Sequence, residues 1–409
     1  MSDYNPTNQL RQYRSIESNL IELQKQANLS RKRSQILFGK VAAKWRDIIR
    51  QEIHRIEQAG GLPLPNPFIT GGRSPLVEKG EPFVGRQDII RQIETEVLRE
   101  GAPGAILFLG NRRTGKTSTL ENLRHFLPSS LKTVFFSFQD PRILTANLPD
   151  LCGFLAKRWG EACGRPVAKM PADLGALTNQ IEEWERHLEA QGSYLLVCFD
   201  EYERLSDRIA DGTLRGLADA FRHWAQHFRR FVFLFAGSHE MAEIPSVDWT
   251  DYLINARTVR ISYLEPEAAL QLVTKPVPEF DLVYQPADLA RQLTERMGRQ
   301  PYLLQCTMFE LVELLNNDGM RKTATAPDLD KAVERLFGSA EGYFTHFWKT
   351  ELDDAGRKLL QQLAAEGRRI SGDEGSALRK LVRREVLRQS SDGRWEFCVP
   401  VVREWVAQQ

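Results

Sequence analysis

No stretch of this sequence approaches the roughly 18 consecutive apolar residues of a membrane-crossing helix, and its first residues lack the pattern of a secretion signal. A membrane partner is not expected, and the chain is expected in the cytoplasm. Cysteine is scarce as well. The five residues, Cys152, Cys163, Cys198, Cys306 and Cys398, are scattered without C-x-x-C spacing. That excludes a disulfide framework and a zinc site and leaves reduced thiols. Neither sign of charge dominates: 55 Lys and Arg stand against 54 Asp and Glu, a formal net charge of +1. Globally nothing demands nucleic acid, although the first 79 residues are basic and the remainder offsets them. What remains is 409 residues at 42% hydrophobic content, more than one ordinary core can use, so two to four units are expected.

One short segment carries the chemistry. Gly110, Asn111, Arg112, Arg113, Thr114, Gly115, Lys116, Thr117 and Ser118 form a complete G-x-x-x-x-G-K-[ST] phosphate-binding loop. The apolar run Ala105–Leu109 before it reads as a buried strand, and Leu120 to Phe126 after it reads as a helix. In that setting successive backbone N–H groups and a helix N-terminus face the phosphates of ATP or ADP. Lys116 reaches the β and γ oxygens, and the Thr117 hydroxyl ligates Mg2+. Gly110 and Gly115 give the backbone room that a side chain would take. A second apolar run, Tyr194 to Phe199, ends in Asp200 and Glu201. Asp200 is the expected metal partner, and Glu201 the residue that polarises the attacking water. An Asp-Glu pair after a strand also serves as a helix cap, but beside a phosphate loop the catalytic reading is preferred.

Five segments are expected: a helical N-terminal region at 1–59, a linker at 60–80, a phosphate-loop domain at 81–263, a helical lid at 264–345 and a terminal domain at 346–409. In the first, stripes Tyr13, Ile16, Leu20, Leu23 and Val41, Trp45, Ile49, Ile53, Ile56 suggest two antiparallel helices meeting near Asn28-Leu29-Ser30. The linker holds four prolines and five glycines, too many breakers for a regular element, and is expected to wrap onto the next domain. Between Glu81 and Tyr263, strands at Ala105–Leu109, Val134–Phe138, Tyr194–Phe199, Phe231–Ala236 and Thr258–Ile261 alternate with helices. Such alternation predicts a parallel sheet between helical layers. From Pro266 to about Phe337 the chain reads as helical throughout.

The ordered set Phe83-Val84-Gly85-Arg86, the phosphate loop with its Arg-Arg pair, Asp200-Glu201, Ala236-Gly237-Ser238 and Gly298-Arg299-Gln300-Pro301 resembles the archaeal-type branch of the AAA+/STAND ATPases, relatives of origin-recognition ATPases. The resemblance spans roughly Asn66 to Gln409 and implies an α/β P-loop NTPase with a helical lid and a C-terminal winged helix. It implies that Phe83 to Arg86 lie beside the adenine and ribose, that Ser238 is a polar sensor and that Pro301 closes over the base. Arg299 is a candidate lid sensor, although Gly-x-x-Pro is closer to the STAND form, which implies slow hydrolysis. Arg257 and Arg260, flanking the last strand, are candidates for a finger offered to a neighbouring subunit, with surface ion pairing as the alternative.

The terminal segment resembles a winged helix, with Leu359, Leu360 and Leu363, then Leu378, Leu381 and Val382, then a hairpin about Ser391-Asp392-Gly393. Arg379, Lys380, Arg383 and Arg384 make its middle helix basic, which suits duplex DNA; a solvated face or a protein-docking wing is the plainer reading. His223 and His227 lack a third ligand and are read as surface histidines, Phe344 and Trp348 as a core seam, and Arg31-Lys32-Arg33 as a solvated helix start. The preferred function is a nucleotide-controlled switch that forms a homo-oligomer in its ATP state and meets a protein partner through the N-terminal hairpin or the wing. The alternative is an initiator, loader or transposition-regulator ATPase acting on duplex DNA.

Overall fold

The computed structural model describes residues 6–28, 33–60, 63–70, 75–99, 104–238, 246–366 and 375–409. Two long helices, α1 (Pro6–Asn28) and α2 (Arg33–Gly60), precede α3 (Gln87–Leu98). An alternating series follows: β1 (Ala105–Leu109), α4 (Lys116–Asn122), β2 (Leu131–Ser137), α5 (Pro141–Leu144), α6 (Leu148–Cys163), α7 (Leu174–Ala190), β3 (Tyr194–Asp200), α8 (Arg204–Ala210), α9 (Leu217–His227), β4 (Phe231–Gly237), α10 (Trp249–Tyr252) and β5 (Arg257–Arg260). Next come α11 (Pro266–Thr274), β6 (Val283–Gln285), α12 (Leu289–Arg296), α13 (Pro301–Asn317), β7 (Thr323–Thr325), α14 (Ala326–Ser339) and α15 (Glu341–His346). The chain ends with α16 (Asp354–Glu366), α17 (Gly375–Arg383), β8 (Leu387–Gln389), β9 (Trp395–Phe397) and α18 (Pro400–Val406). No helix of the described residues is long and apolar enough to cross a membrane.

The chain divides into two compact units: Met1–Thr70, Val273–Thr294 and Leu303–Glu351 form one, and Gly71–Leu272, Glu295–Tyr302 and Leu352–Gln409 the other. The linker and the lid segment are thus each shared between the two.

In the second unit β1 to β5 form one parallel sheet in the order β2-β3-β4-β1-β5. Every residue of β1 and β4 is buried, which is why those segments read as continuous apolar runs rather than alternating ones. Alternate residues feed two cores. Ile106 and Phe108 pack with Ile89, Ile93, Leu120 and Leu123 of α3 and the α4 region. Leu107 and Leu109 share the other core with residues of α6, α7 and α9, where Trp159, Trp224, Phe231 and Phe233 form an edge-to-face cluster. Asn122, wholly buried, donates to the Pro75 carbonyl and accepts from Val77 N–H, so it holds the second half of the linker against α4.

In the first unit the same device recurs. Asn316 of α13 accepts from Leu64 N–H at 2.8 Å and donates to the Leu64 carbonyl at 3.0 Å. Its amide supplies the donor and acceptor that a neighbouring strand would offer, so irregular backbone can be buried. Gln305 binds Ile69 N–H, and Phe68 packs edge-on against Phe280. Phe344 is buried in this unit against Phe337.

The expectation of continuous helix from Pro266 to Phe337 is corrected: β6 and β7 pair in parallel from Val283 with Thr323 to Gln285 with Thr325. Three-residue strands are too short to show a period. The N-terminal stripes also divide. Tyr13, Leu20, Ile49 and Ile53 pack together with Met320, whereas Ile16, Leu23, Val41 and Trp45 are exposed. Leu29-Ser30 at the helix junction, Arg31 and Lys32 of the basic start, and Gly71 to Ser74 of the linker lie outside the described residues, as do the side chains of Arg33 and Ile56.

Candidate functional site

The sheet topology brings three strand ends to one edge. Leu109 of β1 is in register with Gly237, and Asp200 of β3 with Ala236, so β4 lies between the phosphate loop and the acidic pair. From β1 the chain turns through Gly110 to Gly115 into α4. Gly115 has φ 95°, a left-handed conformation that favours glycine. The loop is braced internally by Thr114, whose hydroxyl donates to the Asn111 carbonyl at 2.8 Å. Lys116 is 8% exposed, and its ammonium lies 2.7 Å from the Gly110 carbonyl and 2.9 Å from that of Asn111. Those carbonyls hold the charge at the loop that α4 opens behind.

Thr117 donates its hydroxyl to Asp200 Oδ2 at 2.6 Å. Asp200 is 3% exposed, and burial pushes its carboxyl up to about 6, only partly opposed by the Thr117 hydrogen bond. Its other oxygen, Oδ1, is buried without a hydrogen-bond partner among the described residues. An unmatched carboxylate oxygen beside a hydroxyl is the donor pair a hard divalent cation takes, so Asp200 and Thr117 fit magnesium. Among the described residues no group of three or more His, Cys, Asp or Glu side chains forms a metal cage, so such an ion would draw further ligands from phosphates and water.

Glu201 is half-buried and has φ 58°, with Arg204 Nε 4.0 Å from its carboxylate. Left-handed backbone at a non-glycine residue is strained and persists where the surroundings over-determine it. Ser238 stands at the end of β4, but its N–H donates to Glu203 Oε1 at 2.6 Å and its hydroxyl is 3.4 Å from the same oxygen. Glu203 therefore orients the sensor candidate, a role that motif reading missed; the spacing Asp-Glu-x-Glu was its only signal.

Two residues of the quoted motifs, Arg86 and Gln300, also act as anchors, a role the motifs did not show. Arg86 is 5% exposed and donates to the Thr114 carbonyl at 2.6 Å and the Ser262 carbonyl at 3.0 Å. Burial pulls its guanidinium down to about 10. It pins the phosphate loop to the segment after β5, beside Gly85, which packs on Ala268, while Phe83 rests on Phe126; Val84 lies between them in sequence and is half-buried. Gln300 is wholly buried and donates to the Arg113 carbonyl at 3.2 Å, with the Arg113 guanidinium 4.9 Å from the centre of the Tyr302 ring. Arg299 accepts from Leu264 N–H through its carbonyl, and Pro301 opens α13.

The turn between α17 and β8 also reaches the loop. Asn111 Nδ2 donates to the Arg384 carbonyl at 2.6 Å, Ser262 to Glu385 Oε2 at 2.7 Å, and Tyr263 to the Glu385 carbonyl at 3.0 Å. A Cβ on Gly298 would lie 2.4 Å from the Cys398 carbonyl, so Cys398 and Val399, leading into α18, pack directly on the Gly298 backbone. Of the basic residues on α17, Lys380 is paired with Asp353 at 2.9 Å and Arg379 is exposed, while Arg383 is the last residue of the helix. Arg112 and Ser118 complete the loop, the former exposed and the latter half-buried. Arg257 and Arg260 are exposed on β5, the edge strand of the sheet. His223 and His227 stack ring on ring at 4.2 Å on α9, with the His227 ring bonded to the His223 carbonyl.

No protein-family model matches the chain, and no curated protein matches it. Solved structures do. A Walker-type ATPase of Pyrococcus abyssi is similar over 78% of this chain and 95% of its own, with a TM-score of 0.52 at 14% identity. The ADP form of the Aeropyrum pernix ORC2 protein aligns over 80% of this chain and 94% of its own, with a TM-score of 0.44 at 13% identity. The first of these likenesses shows the fold alone, a parallel α/β core of the P-loop NTPase kind.

Proposed function

We propose that this chain binds ATP with magnesium, hydrolyses it slowly, and works as a switch whose C-terminal module senses the nucleotide. The observation that carries the reading is the Lys116, Thr117 and Asp200 constellation, with its unmatched Asp200 oxygen, joined through Asn111 to the α17–β8 turn. Magnesium held there would neutralise charge on the β and γ phosphates. Asp200 and Thr117 would hold the ion, and Lys116 would exchange two carbonyl partners for phosphate oxygens. Glu201, strained and half-buried, would hold and orient water. Phe83 to Arg86 and Pro301 would border the base and ribose.

Asn111 ties the phosphate loop to the Arg384 carbonyl, so a shift of the loop reaches the terminal helices directly. That coupling supports a switch over an open groove-binding wing. We read the terminal module as a winged helix used for docking, with Arg257 or Arg260 offered in trans when ATP-bound copies assemble. Duplex DNA on Arg379, Lys380, Arg383 and Arg384 is the second reading; salt-dependent DNA binding would favour it, because phosphate contacts release counterions.

Lys116→Ala should weaken ATP binding by about 2–4 kcal/mol, the worth of one or two charge-assisted hydrogen bonds. Glu201→Gln should leave binding intact and lower turnover by about 10²-fold. Calorimetry and phosphate release measure both. Unchanged affinity in a folded Lys116→Ala variant would sink the site.

A further inference from the structure

Helices α1 and α2 run antiparallel, in a register set by Gln24 with Arg46 at 2.7 Å and Glu17 with Arg50. Their inward residues Tyr13, Leu20, Ile49 and Ile53 already have a core with Met320. Yet a second apolar set is uncovered. On α2, Phe38, Val41, Trp45 and Ile48 recur at intervals of three, four and three and are 63%, 47%, 56% and 52% exposed. On α1, Ile16 and Leu23, seven residues apart, are 41% and 48% exposed.

At about 100° per residue the exposed sets of α1 and α2 are turned about 60° and about 80°, respectively, from their own inward stripes, in the same chain sense. Because the helices are antiparallel, turns in the same chain sense bring both sets to the same side of the hairpin. The six residues make one apolar face two helices wide.

We propose that this face is a homodimer interface, in which the hairpins of two copies of this chain form a four-helix bundle. The three-four spacing is that of side chains interdigitating between helices crossing at a shallow angle. A hairpin apolar on its inner side and on one outer side is half of such a bundle. A two-fold axis between Val41 and Trp45, near the middle of the α2 stripe, sets Phe38 of one copy by Ile48 of the other and Val41 by Trp45, so one patch serves both sides. The area agrees. Six side chains about half exposed, two of them aromatic, uncover several hundred Å2 of apolar surface, on the scale of the apolar core of a standard interface burying about 800 Å2 per partner. Scattered single residues need no partner, but a continuous patch of this size does.

The dimer is independent of the nucleotide switch, and its test separates the two. Sedimentation of the full chain without nucleotide, from about 1 to 100 μM, should give a dimer, and ATP should not be required. Trp45→Glu should weaken association by at least about 10²-fold. Its ATP affinity should remain that of the wild type, and its melting temperature should match that of wild type diluted into the monomeric range, because the changed residue is exposed in the monomer. Ile48→Lys repeats the test with the opposite charge. A wild type that stays monomeric throughout overturns the proposal, as does a dimer that survives both substitutions. Association that needs ATP and vanishes in Arg257→Ala would instead belong to the nucleotide site. A monomer that binds only a different protein through Trp45 would also overturn the homodimer.

Discussion

Asp200 shows how a single side chain can carry both a cost and a function. Its carboxyl is buried, one oxygen accepts from Thr117, and the other has no partner among the described residues. Burying a charge with half its acceptors unmatched is destabilising. Asp200→Asn keeps an acceptor for Thr117 and removes the charge. The expected outcome is a melting temperature raised by a few degrees in the absence of nucleotide, a change of about 1–3 kcal/mol, together with loss of magnesium-dependent ATP binding. Calorimetry with and without magnesium checks the pair; a variant that melts lower and still needs magnesium would remove the metal role. Asp200 was legible because its strand and the phosphate loop are contiguous motifs. Arg86 and Gln300 lie in motifs the sequence shows, but their anchoring roles, like that of Glu203, were not legible, because the three act on backbone 28, 187 and 35 residues away, respectively, and no local pattern encodes such a pairing.

Elements were legible where burial imposes a long uniform pattern. The central strands are apolar throughout because both faces are covered, and their parallel direction follows from the alternation with helices. The β6–β7 pair was hidden by its brevity, and the split of the α1 and α2 stripes by a spacing that fits two faces equally well. Helix α14 illustrates a local rule that did apply. Thr325 and Asp328 form a capping box, and Arg321 binds the Asp328 carboxylate at 2.7 Å. The Arg321 hydrogen bond, followed by those from Thr325, holds that carboxyl down at about 2. A carboxyl depressed in the folded state contributes stability that is present above its unfolded value, about 3.9, and is lost as pH falls toward 2. Thermal melts of wild type and Asp328→Asn should therefore differ at pH 7 and converge between about pH 4 and 2. Curves separated equally at pH 7 and pH 2 would show that the carboxylate charge is not what Asp328 contributes.

At the scale of the molecule, the proposed switch comes down to whether the terminal helices and the phosphate loop are energetically coupled. Within the second unit the α17–β8 turn is held by Asn111, Ser262 and Tyr263, and Lys116 binds the Asn111 carbonyl. The side chain that meets the turn and the carbonyl that holds the lysine thus belong to one residue. Glu385 at this turn has φ 52°, a strained backbone that the two hydrogen bonds from Ser262 and Tyr263 help to retain. Replacing Ser262 by Ala and Tyr263 by Phe removes both bonds, worth roughly 1–3 kcal/mol together. Amide exchange across residues 386–406 should then rise by about tenfold or more. If nucleotide favours the docked arrangement, ATP must suppress this exchange in the wild type, and a variant whose module is mainly undocked must bind ATP more weakly by up to that same factor. Exchange and calorimetry on one preparation give both factors. Exchange across 386–406 that ATP leaves unchanged would mean that the module merely rests on the loop, and the chain would then be a nucleotide-binding protein whose terminal helices do not sense what the loop holds.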